Sequence, residues 1–406
     1  MRINKLAGAL AVVGLATISG AAFATNGYFS HGYGMKAKGM GGAGIAFGQD
    51  ALAAATNPAN MVLVGDRLDA GLDWFQPVRE SVTGTVTHDG NGEKDFFIPE
   101  FGYNKMLNKN MSLGVAVFGN GGMNTQYNSY NATAPSGFAF GPAGTPVGVD
   151  LSQLFISPTF SVKINDAHSI GIAVNLAYQR FKATGISGFA GQSSDGANLS
   201  DRGYDDAWGY GARIGWTGKL NDTWTLGATY QSRTNMGKFD KYRGLFAEQG
   251  DFDIPATFGV GAAAKITPNL TAVVDVTRIQ YGSVKAISNT GTQGGLLGTN
   301  NGSGFGWTDQ TVFKLGVSYD YSNSVTLRAG WNSSDAPYDN GQTQFNILAP
   351  AVVEDHVTLG GTWKLGNKSE LTVAYMHAFA GEVAGGNTIK NRMYQNSLGV
   401  SYGVKF

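Results

Sequence analysis

Few side chains in this sequence could do chemistry, and their spacing supports neither a catalytic nor a metal site. The five histidines are His31, His88, His168, His356 and His377, and none has metal-ligand spacing to another His or to Cys, which is absent. No G-x-S-x-G sequence marks a nucleophilic serine. A Ser, His and Asp triad assembled from separate strands stays open, because such triads form without that motif. We therefore expect no bound metal and a protein that is not an enzyme.

Residues 39–44 read G-x-G-x-x-G, which is the pattern of a dinucleotide-binding turn. That turn must follow a strand and open the helix of a βαβ unit. No strand-like segment precedes these glycines, and no such unit follows them. We therefore expect neither a dinucleotide nor any other cofactor.

Three basic residues, Arg213, Lys314 and Arg328, lie on the polar face of segments in which apolar and polar residues alternate. If these segments surround an interior, the three cations face it and could pair with a ligand carboxylate. The alternative is that each cation pairs with an acidic neighbour inside, because a buried charge normally finds a partner. The acidic candidates are Glu100, Asp275 and Asp320.

The positions of these cations depend on strands in which every second residue is apolar. In 169–179 one face carries Ile170, Ile172 and Val174, while the residues between them are small or polar. Segments of about ten residues with one lipid-facing and one lumen-facing row are typical of a transmembrane β-barrel. A soluble sandwich alternates in the same way, so the number of strands and the chain ends must decide.

Fourteen alternating segments follow residue 66, and the connections between them alternate in length. The predicted strands are 67–81, 94–105, 111–119, 151–163, 168–184, 206–219, 223–235, 252–266, 269–283, 309–321, 324–335, 354–366, 369–382 and 394–406. The long connections are 120–150, 185–205, 284–308 and 336–353. Short periplasmic turns, long external loops and an even strand count are typical of outer-membrane barrels. The expected fold is therefore all-β, a transmembrane antiparallel β-barrel of about 14 strands.

Both chain ends carry features of export. A basic start precedes the apolar run Leu6 to Ile18, and Ala22-Phe23-Ala24 has the small-x-small pattern, so residues 1–24 are predicted to be a cleaved signal peptide. The run is shorter than the roughly 20 residues of a membrane anchor. The last strand alternates to its end, and Phe406 resembles the sorting signal that barrel-insertion machinery recognises. These features favour the bacterial outer membrane.

The amino-acid composition limits the classes of partner that the protein can bind. Only 14% of the residues are charged, against about a quarter in soluble domains. Without the two basic residues of the leader, 27 of the 29 basic residues remain beside 29 acidic ones. A nearly neutral chain lacks the basic face that nucleic acid requires. The expected surroundings are outer-membrane lipid and lipopolysaccharide, and the protein is expected to be a monomer.

Residues 25–66 do not alternate and are rich in small residues. A barrel of about 14 strands encloses a lumen too wide for side chains alone to fill. We therefore expect 25–66 to lie in the lumen as a hatch, with the barrel at 67–406.

Four stretches resemble the FadL/TodX family of outer-membrane channels: Asn57-Pro58-Ala59, 254–261, 327–331 and 374–377. The resemblance spans essentially the whole mature chain. It implies a fourteen-stranded barrel closed by an N-terminal hatch, with Asn57, Pro58 and Ala59 as the hatch motif. Members of this family import long-chain fatty acids or toluene-like hydrocarbons, so a small hydrophobic ligand is expected.

The resemblance also implies a route. External loops catch an apolar ligand, which moves to a pocket above the hatch and leaves sideways at an inward kink in the third strand. Here that strand is predicted to end in 118–123, where Gly119, Gly121 and Gly122 could break the ladder. The alternative is that these glycines begin a flexible loop.

The class of solute stays open. No Lys or Arg lies between Lys285 and Lys314, where fatty-acid transporters of the family look to carry a basic contact, so a neutral hydrocarbon stays beside a fatty acid. Aromatic residues for a pocket, a lipid belt or loop packing are Phe75, Phe96, Phe118, Phe138, Phe140, Phe155, Phe246 and Trp307. The alternative function is adhesion or surface recognition through the external loops, while a polar porin would have no use for a hatch.

Overall fold

The computed structural model describes residues 26–386 and 388–406, and the predicted signal peptide, 1–24, lies outside the described residues. The strands are β1 (Arg67–Thr83), β2 (Val86–Asp89), β3 (Phe96–Asn108), β4 (Met111–Tyr127), β5 (Val147–Lys163), β6 (His168–Thr184), β7 (Asp205–Lys219), β8 (Trp224–Gln231), β9 (Asn235–Met236), β10 (Thr257–Thr267), β11 (Leu270–Ile279), β12 (Gln310–Asp320), β13 (Val325–Ser334), β14 (Asp355–Leu365), β15 (Ser369–Ala384) and β16 (Ile389–Lys405). Short α-helices are α1 (Met35–Lys38), α2 (Met61–Val64), α3 (Tyr130–Thr133), α4 (Ala247–Gly250) and α5 (Lys285–Ser288). Single 3-10 turns are Ala51–Ala55, Pro58–Asn60, Ser187–Gln192, Gly196–Asn198, Asp240–Tyr242, Tyr281–Ser283, Asn340–Gln342 and Phe345–Ile347.

The strands form one antiparallel sheet that closes on itself. β1 pairs with β16 over its whole length, from Arg67 opposite Lys405 to Thr83 opposite Ile389. β2 extends a hairpin from β1, and β9 pairs with β7 through two residues. The other fourteen strands make up the wall. The prediction of a fourteen-stranded transmembrane β-barrel is therefore confirmed.

The two faces of the wall follow the alternation of the sequence. Ile170, Ile172 and Val174 of β6 are exposed, whereas Ala173 and Asn175 between and beside them are buried. A band of exposed apolar side chains around a wall suits acyl chains and not water. No helix of 26–386 or 388–406 has both the length and the apolar character of a membrane span.

The third strand of the wall differs from the prediction. β4 runs from Met111 to Tyr127 instead of ending at 119, and it stays paired with β5 throughout. A register shift between Gly119 and Gly121 leaves Asn120 as an extra, bulged residue. The glycines therefore lie within a strand, and the alternative that they begin a flexible loop is wrong.

The segment 26–66, called the N-terminal segment below, lies inside the ring of strands. Several glycines of the wall touch this segment so closely that an added Cβ would collide with it. The collisions would be with Ala51 at β3, with Asn57 at β7 and with Met40 at β12. These three strands lie far apart in the sheet order, so the segment spans the lumen.

Candidate functional site

The wall is interrupted between β3 and β4. Their pairing extends from Asn108 opposite Met111 only to Phe101 opposite Val117. Above that pair, β3 continues to Phe96 beside β1, and β4 continues beside β5. We call this interruption the window: residues 96–100 of β3 and 118–125 of β4.

The window is bounded at both ends. At its top, the Gln126 N–H donates to Gly90 O and the Gly92 N–H donates to Gln126 O. Eight residues of β4 separate that bridge from the last β3 pair, which corresponds to about 25 Å along an extended strand. The window is therefore long compared with a single bulge.

Apolar side chains line the inner edge of the window. Phe96, Ile98 and Phe118 are buried. The ring of Tyr33 lies 4.7 Å from that of Phe118, and the ring of Phe155 lies 5.6 Å from it. This rim offers a hydrophobic solute contacts that it does not find in water.

The start of the N-terminal segment crosses the inner side of the window. The Gly122 N–H donates to Tyr28 O at 3.0 Å, and the Ser30 N–H donates to Asn120 O at 3.1 Å. A Cβ at Gly121 would lie 2.1 Å from Tyr28 O, so this approach requires glycine. Residues 28–30 thus take the place of a partner strand that β4 lacks at the window.

A second contact holds the same residues from the opposite side. The Tyr281 hydroxyl donates to Asn26 O at 2.6 Å and accepts from the Tyr28 N–H at 3.1 Å. The rings of Tyr281 and Trp307 lie 5.3 and 6.0 Å from the ring of Tyr28. This aromatic cluster closes the middle of the lumen.

Three cavities lie along the axis of the barrel. The loop cavity, about 30 Å³, is lined by Val149, Phe181, Ile186, Phe189, Leu245, Phe246, Ala286, Leu297, Ser303, Gly304, Phe305, Phe345 and Leu348. The upper lumen cavity, about 20 Å³, is lined by Gly27, Pro77, Arg79, Met123, Asn124, Trp307, Ala349, Pro350, Ala351 and Met393. The lower lumen cavity, about 50 Å³, is lined by Asn26, Phe29, Ser30, Gly32, Tyr33, Gly42, Ile45, Ala55, Thr56, Arg213, Thr229, Thr257, Asp275, Thr277, Ile279, Val312 and Lys314.

One external loop separates the first two cavities. Phe345 and Leu348 line the loop cavity, whereas 349–351 line the upper lumen cavity. The loop is held inward because the Thr125 hydroxyl donates to Leu348 O at 2.8 Å and the Tyr127 hydroxyl donates to Ile347 O at 2.9 Å. Both hydroxyls belong to the part of β4 that the sequence had assigned to a loop.

The three predicted cations are not gathered in one place. Arg213 and Lys314 line the lower lumen cavity, and Arg328 lines none of the three cavities. Arg213 donates to Thr56 O at 3.1 Å and Lys314 donates to His31 O at 2.9 Å. Backbone carbonyls of the N-terminal segment thus solvate both charges.

Among the described residues, none of these cations forms an ion pair within 4 Å with Glu100, Asp275 or Asp320, although Asp275 lies opposite Lys314 on the neighbouring strand. Glu100 accepts from the Gly34 and Met35 N–H groups, and Asp275 accepts from two other N–H groups of the segment. Backbone donors have taken the place of the cations.

The Asn57-Pro58-Ala59 motif docks the segment on β7. Asn57 is fully buried, and its Nδ2 donates to Ile45 O, Trp216 O and the Thr217 hydroxyl at 2.7, 3.0 and 3.1 Å. Its Oδ1 accepts from the Ala59 N–H and caps the 3-10 turn that Pro58 begins. A cap of this kind stabilises a turn by about 1 kcal/mol.

A ring of glycines receives the N-terminal segment, and the sequence analysis missed it. On nine strands of the wall, a Cβ at an inward glycine would lie within 3 Å of an atom of the segment. These glycines include Gly102, Gly114, Gly171, Gly215, Gly227, Gly259, Gly316, Gly330 and Gly399. At these glycines the segment therefore packs directly against the backbone of the wall.

Buried ion pairs fix the segment on the side opposite β7, and they were also missed. Glu370 of β15 pairs with Lys36 at 2.5 Å and with Arg67 at 2.6 Å, and Lys38 pairs with Asp73 at 2.6 Å. Nearby, burial raises the pKa of the Asp50 carboxyl to about 6. The available signal was the presence of two lysines in a segment that is rich in small residues.

Seven of the eight aromatic candidates are buried inside the protein and Phe138 is partly buried, so none belongs to the lipid-facing row. The G-x-G-x-x-G residues lie in the N-terminal segment, where Gly41 and Gly42 pack against the backbones of Trp331 and His31. Across 26–386 and 388–406, no group of three His, Asp or Glu side chains could hold a metal ion.

Comparison with known proteins agrees with this architecture. Residues 11–405 match the family described as outer membrane protein transport protein (OMPP1/FadL/TodX). Long-chain fatty acid transport proteins of Salmonella typhi and Escherichia coli K12 are each 23% identical, over 92% of this chain and 91% of theirs.

Solved structures with the same fold include two from Pseudomonas. The toluene transporter TodX of P. putida superposes with a TM-score of 0.74 at 21% identity, covering 93% of this chain and 99% of its own. A FadL homologue of P. aeruginosa superposes with a TM-score of 0.70 at 15% identity, covering 94% of this chain and 100% of its own. At these identities the likeness establishes the fold alone.

Proposed function

Because the chain belongs to the OMPP1/FadL/TodX family of outer membrane transport proteins, we propose that it is a passive channel through which small hydrophobic molecules cross the bacterial outer membrane. The relatives' names include both long-chain fatty acid and toluene transport, so these are the two solute classes in question. The observation that carries the proposal is the window between β3 and β4 beside a lumen that the N-terminal segment fills.

Capture begins at the loop cavity. Its lining is almost entirely apolar, with five phenylalanines, and it lies among the external loops. An apolar solute leaving the hydrated lipopolysaccharide layer gains free energy on entering such a cavity. Only the residues of the inward loop between Phe345 and Ala351 then separate this solute from the upper lumen cavity.

The N-terminal segment acts as the hatch and makes a straight path to the periplasm unfavourable. Asn57, Pro58 and Ala59 hold it to β7, and the ring of glycines brings the segment into contact with nine strands. A solute above the hatch therefore leaves through the window into the membrane. Gly119, Gly121 and Gly122 serve this exit, because they allow the bulge that leaves β4 unpaired on the β3 side.

We assign Arg213 and Lys314 to a later part of the path, or to the binding of a polar ligand. They line the lower lumen cavity beside Asp275, and a carboxylate there would meet two cations. Arg328 contacts Gln49 and Thr362 instead, so we assign it to docking of the hatch. The proposal further includes a cleaved leader, Phe406 as the sorting signal and function as a monomer.

Cross-linking the window tests the proposal. The chain has no Cys, so cysteines placed at Ile98 and Asn120 can be joined by a reducible bifunctional thiol reagent without side reactions. Uptake of radiolabelled oleate, and separately of toluene, into cells should fall at least about tenfold on cross-linking and return on reduction. The test also distinguishes transport from adhesion, because adhesion through the external loops would not change when the window is cross-linked.

A matched pair of cysteines at Tyr103 and Val115 provides the control, because these residues face each other on the same two strands below the window. Cross-linking there should leave uptake unchanged. Full cross-linking between 98 and 120 with unchanged uptake of both solutes would contradict lateral release. Ion conductance comparable to that of a porin would contradict the closed lumen.

A further inference from the structure

A groove lies on the outer, membrane-facing side of β5 to β8. Its volume is about 660 Å³, against about 50 Å³ for the lower lumen cavity. Large apolar side chains of the outward row form its walls, among them Ile172, Ile214 and Tyr230, each of which is exposed. The groove is therefore a recess in the membrane-facing surface and not part of the lumen.

Small residues form the floor of the groove. Gly171 of β6 is paired with Gly215 of β7, and Ala228 lies on the neighbouring β8. Both glycines are required from the inner side, because the N-terminal segment lies directly behind them. A Cβ at Gly171 would collide with the backbone of Pro58, and a Cβ at Gly215 would collide with the Asn57 side chain. The contacts that dock the segment therefore also keep the floor of the groove free of side chains.

Two stacked rings lie at the end of the groove nearest the tight turns. The rings of Trp216 and His168 are 5.8 Å apart and inclined by 20°. Both lie over Gly218, where an added Cβ would collide with the Trp216 ring and with His168 Nδ1. Aromatic residues gather at this level of a barrel, where the hydrocarbon of the membrane meets the head groups. The groove therefore begins next to the head-group layer.

The strands at and beside the groove end in a repeated pair, a lysine followed by an exposed apolar residue. The pairs are Lys163-Ile164 on β5, Lys219-Leu220 on β7 and Lys265-Ile266 on β10. Within 26–386 and 388–406, Lys163 and Lys265 form no ion pair shorter than 4 Å, whereas Lys219 pairs with Asp222 at 2.7 Å. Counted over residue 66 and 105–111, 163–168, 219–224, 265–270, 320–325, 364–369 and 405–406, the tight-turn end of the barrel has eight lysines and four aspartates. The rim beneath the groove is therefore basic.

We propose that this groove binds one anionic phospholipid of the membrane, with an acyl chain packed between Ile172, Ile214 and Tyr230 and the phosphate at the lysines of the tight turns. Ile214 lies five residues before Lys219, about 17 Å along β7, which is close to the roughly 15 Å of hydrocarbon in one leaflet. A lysine near the membrane surface attracts an anionic head group, while its apolar neighbour stays in the hydrocarbon. With the tight turns toward the periplasm, this leaflet is the one opposite the lipopolysaccharide. The proposal goes beyond the proposed function, because it requires the barrel in its membrane and not the route of a solute.

Brominated lipids test the proposal, because bromine quenches a tryptophan that it touches. The mature chain is reconstituted into phosphatidylcholine vesicles that contain increasing fractions of phosphatidylglycerol brominated on its acyl chains. The quenching that is lost in a Trp216→Phe variant reports the groove, separate from the other six tryptophans. The reference is Trp331, an exposed tryptophan of the membrane-facing row that lines none of the described cavities. Two lysines at about 1 kcal/mol each allow an about tenfold preference, so with one brominated lipid in about ten Trp216 should reach about half of its maximal quenching, and Trp331 about a tenth.

Filling the groove separates its contribution from that of the lysines. Ala228→Leu places a larger side chain on the floor, and quenching of Trp216 should then follow the lipid fraction as it does at Trp331. Ala329→Leu is the matched control, because Ala329 also lies on the outward row but outside the groove, and this variant should behave as the unaltered chain. Should Ala228→Leu fail to insert, the comparison of Trp216 with Trp331 still decides.

Removing the lysines tests the head group. Lys163→Gln together with Lys265→Gln should reduce the preference for phosphatidylglycerol at Trp216 to about twofold or less, whereas Lys364→Gln with Lys368→Gln, in a tight turn away from the groove, should leave it unchanged. Equal quenching curves for Trp216 and Trp331 would mean general lipid contact only and would overturn the proposal. Displacement of the brominated lipid by oleate or toluene would also overturn it, because the groove would then be a solute site.

Discussion

Replacing Asn57 with Ala should detach the N-terminal segment from the wall while the barrel remains folded. The Asn57 amide joins the segment to β7 and also caps the turn that follows it. The barrel strands do not depend on this side chain for their ladder, because β7 pairs with β6 and β8 through its own backbone.

The magnitude follows from the bonds that are lost. Loss of the cap costs about 1 kcal/mol. The two Nδ2 hydrogens serve three acceptors, of which Ile45 O also accepts from Asn60, while Trp216 O and Thr217 lose a partner. At about 1 kcal/mol for each bond the total is about 2–4 kcal/mol of docking free energy.

Hydrogen exchange followed by mass spectrometry measures this docking directly. Because 1.4 kcal/mol is a factor of ten, amides in 35–64 should exchange about 30 to 700 times faster in Asn57→Ala than in the wild type. Amides of the strands should be unchanged. Asn221→Ala is the control, since Asn221 caps an exposed tight turn through the N–H groups of Thr223 and Trp224.

The reasoning fails if exchange in 35–64 stays within about threefold of the wild type, since the Asn57 bonds would then contribute less than about 1 kcal/mol. It also fails if the strands exchange faster together with the segment. In that case Asn57 would stabilise the whole barrel instead of the docked segment.

Two further predictions use the same measurement. Glu370→Gln should speed exchange in 35–64 by the equivalent of about 3–5 kcal/mol, because Lys36 loses its ion-pair partner, whereas Arg67 keeps Asp69. The double variant Lys36→Met, Glu370→Leu should lose less, and a larger loss would refute the ion-pair argument. Burial and the neighbouring Asp69 raise the pKa of Asp50 to about 6, so the docked segment binds this proton more tightly than an exposed Asp does and docking weakens as the pH rises from about 4 to 6. After correction for intrinsic rates, protection should be greater at pH 5 than at pH 7. Asp50→Asn should reduce the difference, and an unchanged difference in that variant would exclude Asp50 as its source.

The barrel could be predicted closely because alternation is a local property of each strand. The alternation within one strand is enough to predict that residues such as Ile170 and Ile172 face outward, without reference to any other part of the chain. The end of β4 could not be predicted, because Gly-Asn-Gly-Gly at 119–122 has no alternation and its pairing depends on β5. Only the bulge at Asn120 lets the partner strand continue.

The interior was predicted less well than the wall. Alternation places Arg213 and Lys314 on the inner face, but it does not give their positions along the barrel axis or their hydrogen-bond partners. The partners are backbone carbonyls of the N-terminal segment, which is distant in sequence. The inward glycines could have been singled out, but the high glycine content was attributed to turns.

The free energies of two movements suggest why a solute would leave sideways. Moving the hatch as a whole requires breaking the buried ion pairs of Lys36 and Lys38, about 3–5 kcal/mol for each, together with the bonds of Asn57. Displacing 26–30 requires breaking four hydrogen bonds, those that join Tyr28 and Ser30 to β4 and those made by Tyr281, which contribute about 4 kcal/mol. It also exposes the buried rings of Tyr28 and Phe29, at about 1.5–3 kcal/mol each. Moving the whole hatch exposes these rings and the other buried residues of the segment as well, so the local displacement costs less.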